Sequence, residues 1–178
     1  MKTLQRYITE KILIRKNSKI AYNYHPKTKN ELKDIIKQKI ESEGNECNLN
    51  DIDTSYITDM SHLFTDSDFN GDISKWDVSN VTDMSFMFGS CKSFNQDISN
   101  WDVSKVITMY SMFDSCESFN QDISKWDVSK VTDMSFMLSR CKSFNQNISK
   151  WDVSKVKKYD NIFFNCPIEE KYKPKKFK

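Results

Sequence analysis

Apolar positions along the chain follow two alternating rhythms. In Ile98, Trp101 and Val103 the pattern is apolar-x-x-apolar-x-apolar, with Asp102 between two inward positions, which predicts a short strand. In Val106, Met109, Met112 and Phe113 the steps become three, three and one, which predicts one apolar face of a short helix or 3-10 stretch. Cys116 and Phe119 continue the inward row on the way back. Residues 28–43 have a helical rhythm of their own. Leu32, Ile35, Ile36 and Ile40 share a face, Thr28 and Glu31 have capping-box spacing, and Gly44 suits the position after a helix. Residues 11–24, with Ile12, Leu13, Ile14 and then Ile20, Ala21 and Tyr22, suggest a β-hairpin or an irregular cap.

The strand-and-return unit repeats. Trp76, Trp101, Trp126 and Trp151 are 25 residues apart, as are Phe69, Phe94, Phe119 and Phe144, and Cys91, Cys116, Cys141 and Cys166. A degenerate copy precedes them, residues 49–60 matching 73–84, with Ile52 in the Trp place and Thr54 in the Val place. Terminal units of an array are expected to be atypical. The pattern therefore predicts about five solenoid turns. Their strands, near residues 49–54, 73–78, 98–103, 123–128 and 148–153, would stack in parallel about 4.8 Å apart, each Trp on its counterpart. The organisation is a cap over 1–46 with its helix at about 28–43, a repeat body over 47–166, and a basic tail over 167–178 that Pro167 introduces.

The run Phe-Asn-Gln-Asp-Ile-Ser-x-Trp-Asp-Val-Ser-x-Val-Thr-x-Met-x-x-Met-Phe-x-x-Cys resembles the repeat of BspA-like leucine-rich-repeat proteins, found in bacteria, mycoplasmas and some phages. The resemblance covers about residues 47–166. It implies an α/β fold, a leucine-rich-repeat-like solenoid of short parallel strands with helical or 3-10 returns, and a protein-binding role.

Composition narrows the function classes. The chain has 178 residues, 29% of them charged, and no apolar run approaches the roughly 18 residues of a membrane span. Twelve Phe, seven Tyr, four Trp and eight Met supply a core, and three Gly leave no room for a glycine-rich phosphate loop. Charge is unevenly spread: residues 1–50 hold 11 Lys and Arg against 6 Asp and Glu, residues 51–156 hold 9 against 16, and residues 157–178 hold 7 against 3. An acidic middle thus lies between basic ends, a field that bears on partners rather than fold. Glu10 and Lys11 break the N-terminal apolar stretch, and the first Cys is Cys47, so neither a secretion signal nor a lipid-attachment Cys is expected. The expectation is a cytoplasmic protein with reduced thiols, the alternative being the cell surface.

The chemistry in the repeats is sparse. His25 and His62 lie in no nucleophile motif, and no nucleotide or zincin motif occurs, so no catalytic, metal or cofactor site is expected and the chain is read as a non-enzyme. The Cys ladder supplies one thiol per turn without a C-x-x-C pair, as buried small apolar residues would. Asp53, Asp77, Asp102, Asp127 and Asp152 form a ladder with two readings: an acidic binding stripe, or local caps for the turns that follow. Asn70, Asn95, Asn120 and Asn145 suggest a hydrogen-bonded spine. Positions that differ between turns are where recognition would reside, and Tyr110, Asp114, Glu117 and Arg140 stand out there. Candidate partner-binding residues are these four with Asp77, Asp102, Asp127 and Asp152.

The expected function is a monomeric module that binds another protein through a rigid repeat surface. One alternative is a phage-type inhibitor of a host defence nuclease, of the anti-CRISPR kind. The other is a surface adhesin. No membrane or nucleic-acid partner is expected, apart from the tail, where Lys171, Lys173, Lys175, Lys176 and Lys178 interleave with Tyr172 and Phe177 in a pattern compatible with nucleic acid.

Overall fold

The computed structural model describes residues 22–178. The hairpin suggested over 11–24 lies, save for its last three residues, outside them. Those three join the body: the Asn23 amide donates to the Asp51 carbonyl at 2.8 Å and the Asp53 amide to the Tyr24 carbonyl at 2.9 Å.

Helix α1, Lys29–Glu43, forms where the apolar face and its caps coincide. The Glu31 amide donates to the Thr28 hydroxyl at 3.2 Å, and the Thr28 amide donates back to the Glu31 carboxylate at 3.3 Å. Gly44 ends the helix at φ 87°, a conformation that favours glycine, and its amide returns to the Ile40 carbonyl. Leu32 and Ile36 are buried against the first repeat.

The repeats coil into five stacked laps, but not into the expected leucine-rich-repeat-like solenoid of short parallel strands. Among the described residues no sheet forms. Parallel pairing is confined to isolated bridges: Tyr24 with Ile52, and one column running Asp59, Asp83, Thr108, Asp133, Lys158. That column falls in the segment expected to be helical, and the Trp-Asp-Val segment expected to be a strand holds none of it. Inward alternation does survive there, with Trp101 and Val103 buried and Asp102 exposed. The backbone, however, turns back on itself. Trp101 donates to the Ile98 carbonyl and Val106 to the Val103 carbonyl, while the Asp102 carboxylate takes the Ser104 amide at 3.1 Å. A side chain that captures an amide two residues on competes with a strand ladder for that donor.

The expected helical return is a run of tight turns. In the second lap the amides of Met87, Gly89 and Cys91 donate three residues back, to Met84, Phe86 and Phe88. The amides between them, those of Met84, Phe86, Phe88 and Ser90, donate instead to Thr108, Tyr110, Met112 and Asp114 of the next lap. This alternation needs left-handed backbone twice per lap. His62 and Asp66, Phe86 and Ser90, Ser111 and Ser115, Phe136 and Arg140, Asn161 and Asn165 all have φ between 51° and 62°. Such conformations cost energy in non-glycine residues, and two phenylalanines adopt them here.

The core is a phenylalanine stack more than an indole stack. Phe64, Phe88 and Phe113 lie 5.4 Å apart, lap on lap and nearly parallel, beside the column Phe69, Phe94, Phe119 and Phe144 at 6.4, 6.1 and 5.9 Å. The expected stacking of each Trp on its counterpart is absent among the described residues. Trp76, Trp101 and Trp126 instead stack on Phe64, Phe88 and Phe113. Each indole N–H spans to the preceding lap: Trp76 to Leu49, Trp101 to Ile73, Trp126 to Ile98 and Trp151 to Ile123, all at carbonyl oxygens.

The basic end is folded onto the last lap. Two 3-10 turns, Glu170–Tyr172 and Lys175–Phe177, bring Phe177 to 5.1 Å from the Tyr159 ring and 6.2 Å from Phe163. The Ile148 amide donates to the Tyr172 carbonyl, and Lys176 Nζ donates to the Val156 carbonyl at 2.6 Å. Tyr172 and Phe177 are therefore engaged in packing.

Candidate binding surface

The turn runs of successive laps lie side by side, so equivalent residues form columns across them. One column places His62, Phe86, Ser111, Phe136 and Asn161 at the same left-handed position. The third lap offers only a buried serine there, and Tyr110, one residue earlier, supplies the missing ring. His62 stacks on Phe86 at 4.7 Å, Phe86 meets Tyr110 edge to face at 5.1 Å, and Tyr110 meets Phe136 edge to face at 6.1 Å. Phe86, Tyr110 and Phe136 are half-buried and His62 is exposed. The outcome is an aromatic strip crossing four laps.

The other nonconsensus residues pair with one another. Arg140 reaches the Asp114 carboxylate of the lap before at 3.2 Å and lies over the Phe164 ring at 5.5 Å. Glu117 pairs with Lys142 at 2.8 Å. Tyr110, Asp114 and Arg140 thus sit on the turn runs, while Glu117 sits just beyond the Cys position.

The Asp ladder divides from them. Asp53, Asp77, Asp102, Asp127 and Asp152 each accept the amide of the serine two residues on, at 3.0 to 3.1 Å. Asp72, Asp97, Asp122 and Asn147 do the same one turn earlier, and Asp59, Asp83 and Asp133 one turn later. Each carboxylate of the ladder thus serves as a local cap, with Asp102, Asp127 and Asp152 exposed. Among the described residues no hydrogen bond or ion pair joins Asp77, Asp102, Asp127 or Asp152 to Tyr110, Asp114, Glu117 or Arg140.

These caps carry a pH dependence. Hydrogen bonds from the side chain and amide of Ser99, Ser124, Ser129 and Ser154 hold Asp97, Asp122, Asp127 and Asp152 below the usual carboxylate range. Burial pushes Asp53 and Asp72 upward, yet bonds to Ser55 and Ser74 leave both lowered. A depressed folded value stabilises the fold above the unfolded carboxyl value of about 3.9 and stops doing so as pH falls through the folded one. The melting temperature is expected to hold steady from about pH 7 to 5 and to fall progressively below about pH 4. A pH series of thermal melts checks this; a Tm that stays level down to pH 2 contradicts it.

The Asn ladder is a hydrogen-bonded spine on the surface, and Cys91, Cys116 and Cys141 of the Cys ladder are buried. The amides of Asn95, Asn120 and Asn145 donate to the side-chain oxygens of Asn70, Asn95 and Asn120 at 2.9 to 3.0 Å, and Gln96, Gln121 and Gln146 add a second donor to each. The thiols of Cys91, Cys116 and Cys141 donate to the Phe69, Cys91 and Phe113 carbonyls. Burial pushes the Cys91 thiol up to about 12 and raises Cys116 and Cys141 well above the ordinary thiol value, so the reactive thiolate is suppressed.

Two overlapping matches to one family cover residues 31–127 and 66–173; its description is "Mycoplasma protein of unknown function, DUF285". The chain belongs to this family. No curated protein and no solved structure matches it. Within this DUF285 member, no group of three metal-ligating side chains occurs among the described residues, and none of their helices is long and apolar enough to cross a membrane. His62, Phe86 and Phe136, the strip residues that sequence reasoning missed, carried one signal: in Ser85-Phe86-Met87 and Ser135-Phe136-Met137 a phenylalanine interrupts the inward methionine row.

Proposed function

We propose that this DUF285 member is a BspA-like, non-enzymatic binding module that acts inside the cell and docks a partner protein along the strip His62, Phe86, Tyr110 and Phe136. The observation that carries the proposal is the continuity of that strip. Where the third lap lacks the repeated phenylalanine, Tyr110 restores a ring between Phe86 and Phe136. Half-buried aromatic rings are common among interface anchors. The laps beneath are joined by backbone hydrogen bonds, so little freedom remains to be lost on docking.

The test is capture from host lysate by the immobilised chain, set against Phe86→Ala and Tyr110→Ala, followed by mass spectrometry. A protein retained by the native chain is expected to lose about tenfold or more in affinity with either variant, while both variants melt within a few degrees of the native chain. Retention of the same proteins by all three, or retention of glycan or nucleic acid alone, overturns the proposal.

A further inference from the structure

Four series of hydrogen bonds between turn runs point the same way, against one return series in which Thr82, Ile107, Thr132 and Lys157 donate back to the Thr58, Thr82, Ile107 and Thr132 carbonyls. Met60 donates to Asp83, Met84 to Thr108, Met109 to Asp133 and Met134 to Lys158. Parallel series run from His62 through Phe86, Ser111 and Phe136 to the Asp160 carbonyl, from Phe64 to Ile162, and from Asp66 to Phe164. In each series a peptide unit accepts from the lap before and donates to the lap after. Its dipole therefore adds to those of its neighbours, as in an α-helix, with the positive N–H end at the last lap.

The two ends of these columns are finished differently. At the first lap, α1 lies over the turn run: Lys29 Nζ bonds the Asp59 carboxylate and the Ser61 hydroxyl, and Ile36 and Ile40 face Leu63 and Phe64 across a cleft. At the last lap the amides of Tyr159, Asn161, Phe163 and Asn165 stand where earlier laps donate onward, and none has an acceptor among the described residues. The C-terminal turns reach Tyr159 and Phe163 through Phe177 but leave Asn161, Phe164 and Asn165 exposed. Phe164 keeps 47% of its surface in solvent.

We propose that the amides of Asn161, Phe163 and Asn165 form a docking edge for an extended acidic segment of a partner protein, whose carboxylates and backbone carbonyls take the place of a sixth lap. Aligned amides at the positive end of peptide dipoles bind anionic oxygens, and such charge-assisted bonds are about twice as strong as neutral ones. The surrounding charge agrees, since residues 157–178 hold seven lysines against three carboxylates. Lys157, Lys175 and Lys178 make no ion pair among the described residues; Asp160 is the opposing charge on the edge itself. A second copy of the chain is a poor occupant, because the end of it that carries the matching acceptors lies under α1. The edge adjoins the aromatic strip, Asn161 following Phe136 in one column, but amides carry it and not rings, and neither proposal depends on the other.

The experiment is a titration of the 15N-labelled full chain with hexaglutamate and, separately, hexalysine at low ionic strength. Hexaglutamate is expected to shift the amide resonances of Asn161, Phe163 and Asn165 most and to slow their hydrogen exchange. Lys157→Glu is expected to weaken binding about tenfold, and Tyr110→Ala to leave it unchanged. Shifts confined to residues 171–178 or to Lys105, Lys130 and Lys155, equal binding of hexalysine, or no binding at millimolar peptide each overturn the proposal. Loss of binding with Tyr110→Ala would overturn it too, by moving the site to the strip.

Discussion

Trp126→Ala is expected to unfold all five laps in one weakened transition and not to loosen one lap alone. Two losses combine. The indole is 4% exposed and stacks on Phe113, and truncating a buried ring of this size costs about 3–5 kcal/mol. Its N–H is also a second donor to the Ile98 carbonyl at 3.1 Å, beside the Trp101 amide, and losing that hydrogen bond costs about 0.5–1.5 kcal/mol more. The sum is comparable with the whole stability of an ordinary domain, about 5–15 kcal/mol. Neighbouring laps cannot take up the slack, because Phe113 also stacks on Phe88 and Phe119. Denaturant melts followed by circular dichroism and by tryptophan fluorescence should coincide and shift together by the equivalent of about 10 °C or more in Tm. A variant whose circular dichroism melt is unchanged while fluorescence alone alters would mean that the laps are energetically independent.

Gly71→Ala should be nearly as damaging, for a reason found at one point only. A Cβ at residue 71 would lie 2.0 Å from the Cys47 carbonyl oxygen and 2.7 and 2.9 Å from atoms of the Phe69 ring. Later laps carry Gln96, Gln121 and Gln146 at this position, each bonded to the asparagine of the lap before. In the first lap the chain leaving α1 passes directly against it, the Asn70 amide donating to the Asn45 carbonyl at 2.8 Å. Relief of the clash requires backbone movement, and the expected cost is about 3 kcal/mol. The damage should concentrate at the junction: hydrogen exchange should show the amides of α1 losing protection first, with laps three and four least affected. Equal protection of α1 in the variant and the native chain would contradict this. Gln121→Ala, which removes contacts without a clash, should cost far less.

What could be read in the sequence was whatever repeats or caps. The 25-residue register located the laps, the Thr28 and Glu31 pair located α1, and the inward row of Ile, Trp, Val, Met, Phe and Cys is buried. The backbone path was harder to read. Inward residues three and four apart mark a helix, but a run of overlapping turns spaces Met109, Met112 and Phe113 in the same way. Left-handed backbone usually announces itself by glycine; with three glycines in the chain, serine, asparagine, aspartate and two phenylalanines take that conformation unannounced. The Asp ladder was ambiguous because an aspartate before a turn serves a cap and a binding stripe equally well; the bonds to Ser79, Ser104, Ser129 and Ser154 show the cap. The partnership of Arg140 with Asp114 was hidden because the two lie 26 residues apart, one more than the register.

The prevailing direction of the bonds between turn runs, four series against one, makes the stack a polar object whose two ends differ. The carbonyls of Asp59, Ser61, Leu63 and Thr65 are the geometric complement of the amides left over at the last lap. Two such surfaces on one molecule form a head-to-tail contact that never closes, the arrangement that produces fibres. Helix α1 lies across one of them, with Lys29 bonded to the Asp59 carboxylate and the Ser61 hydroxyl, and so occupies the face on which a preceding lap would sit.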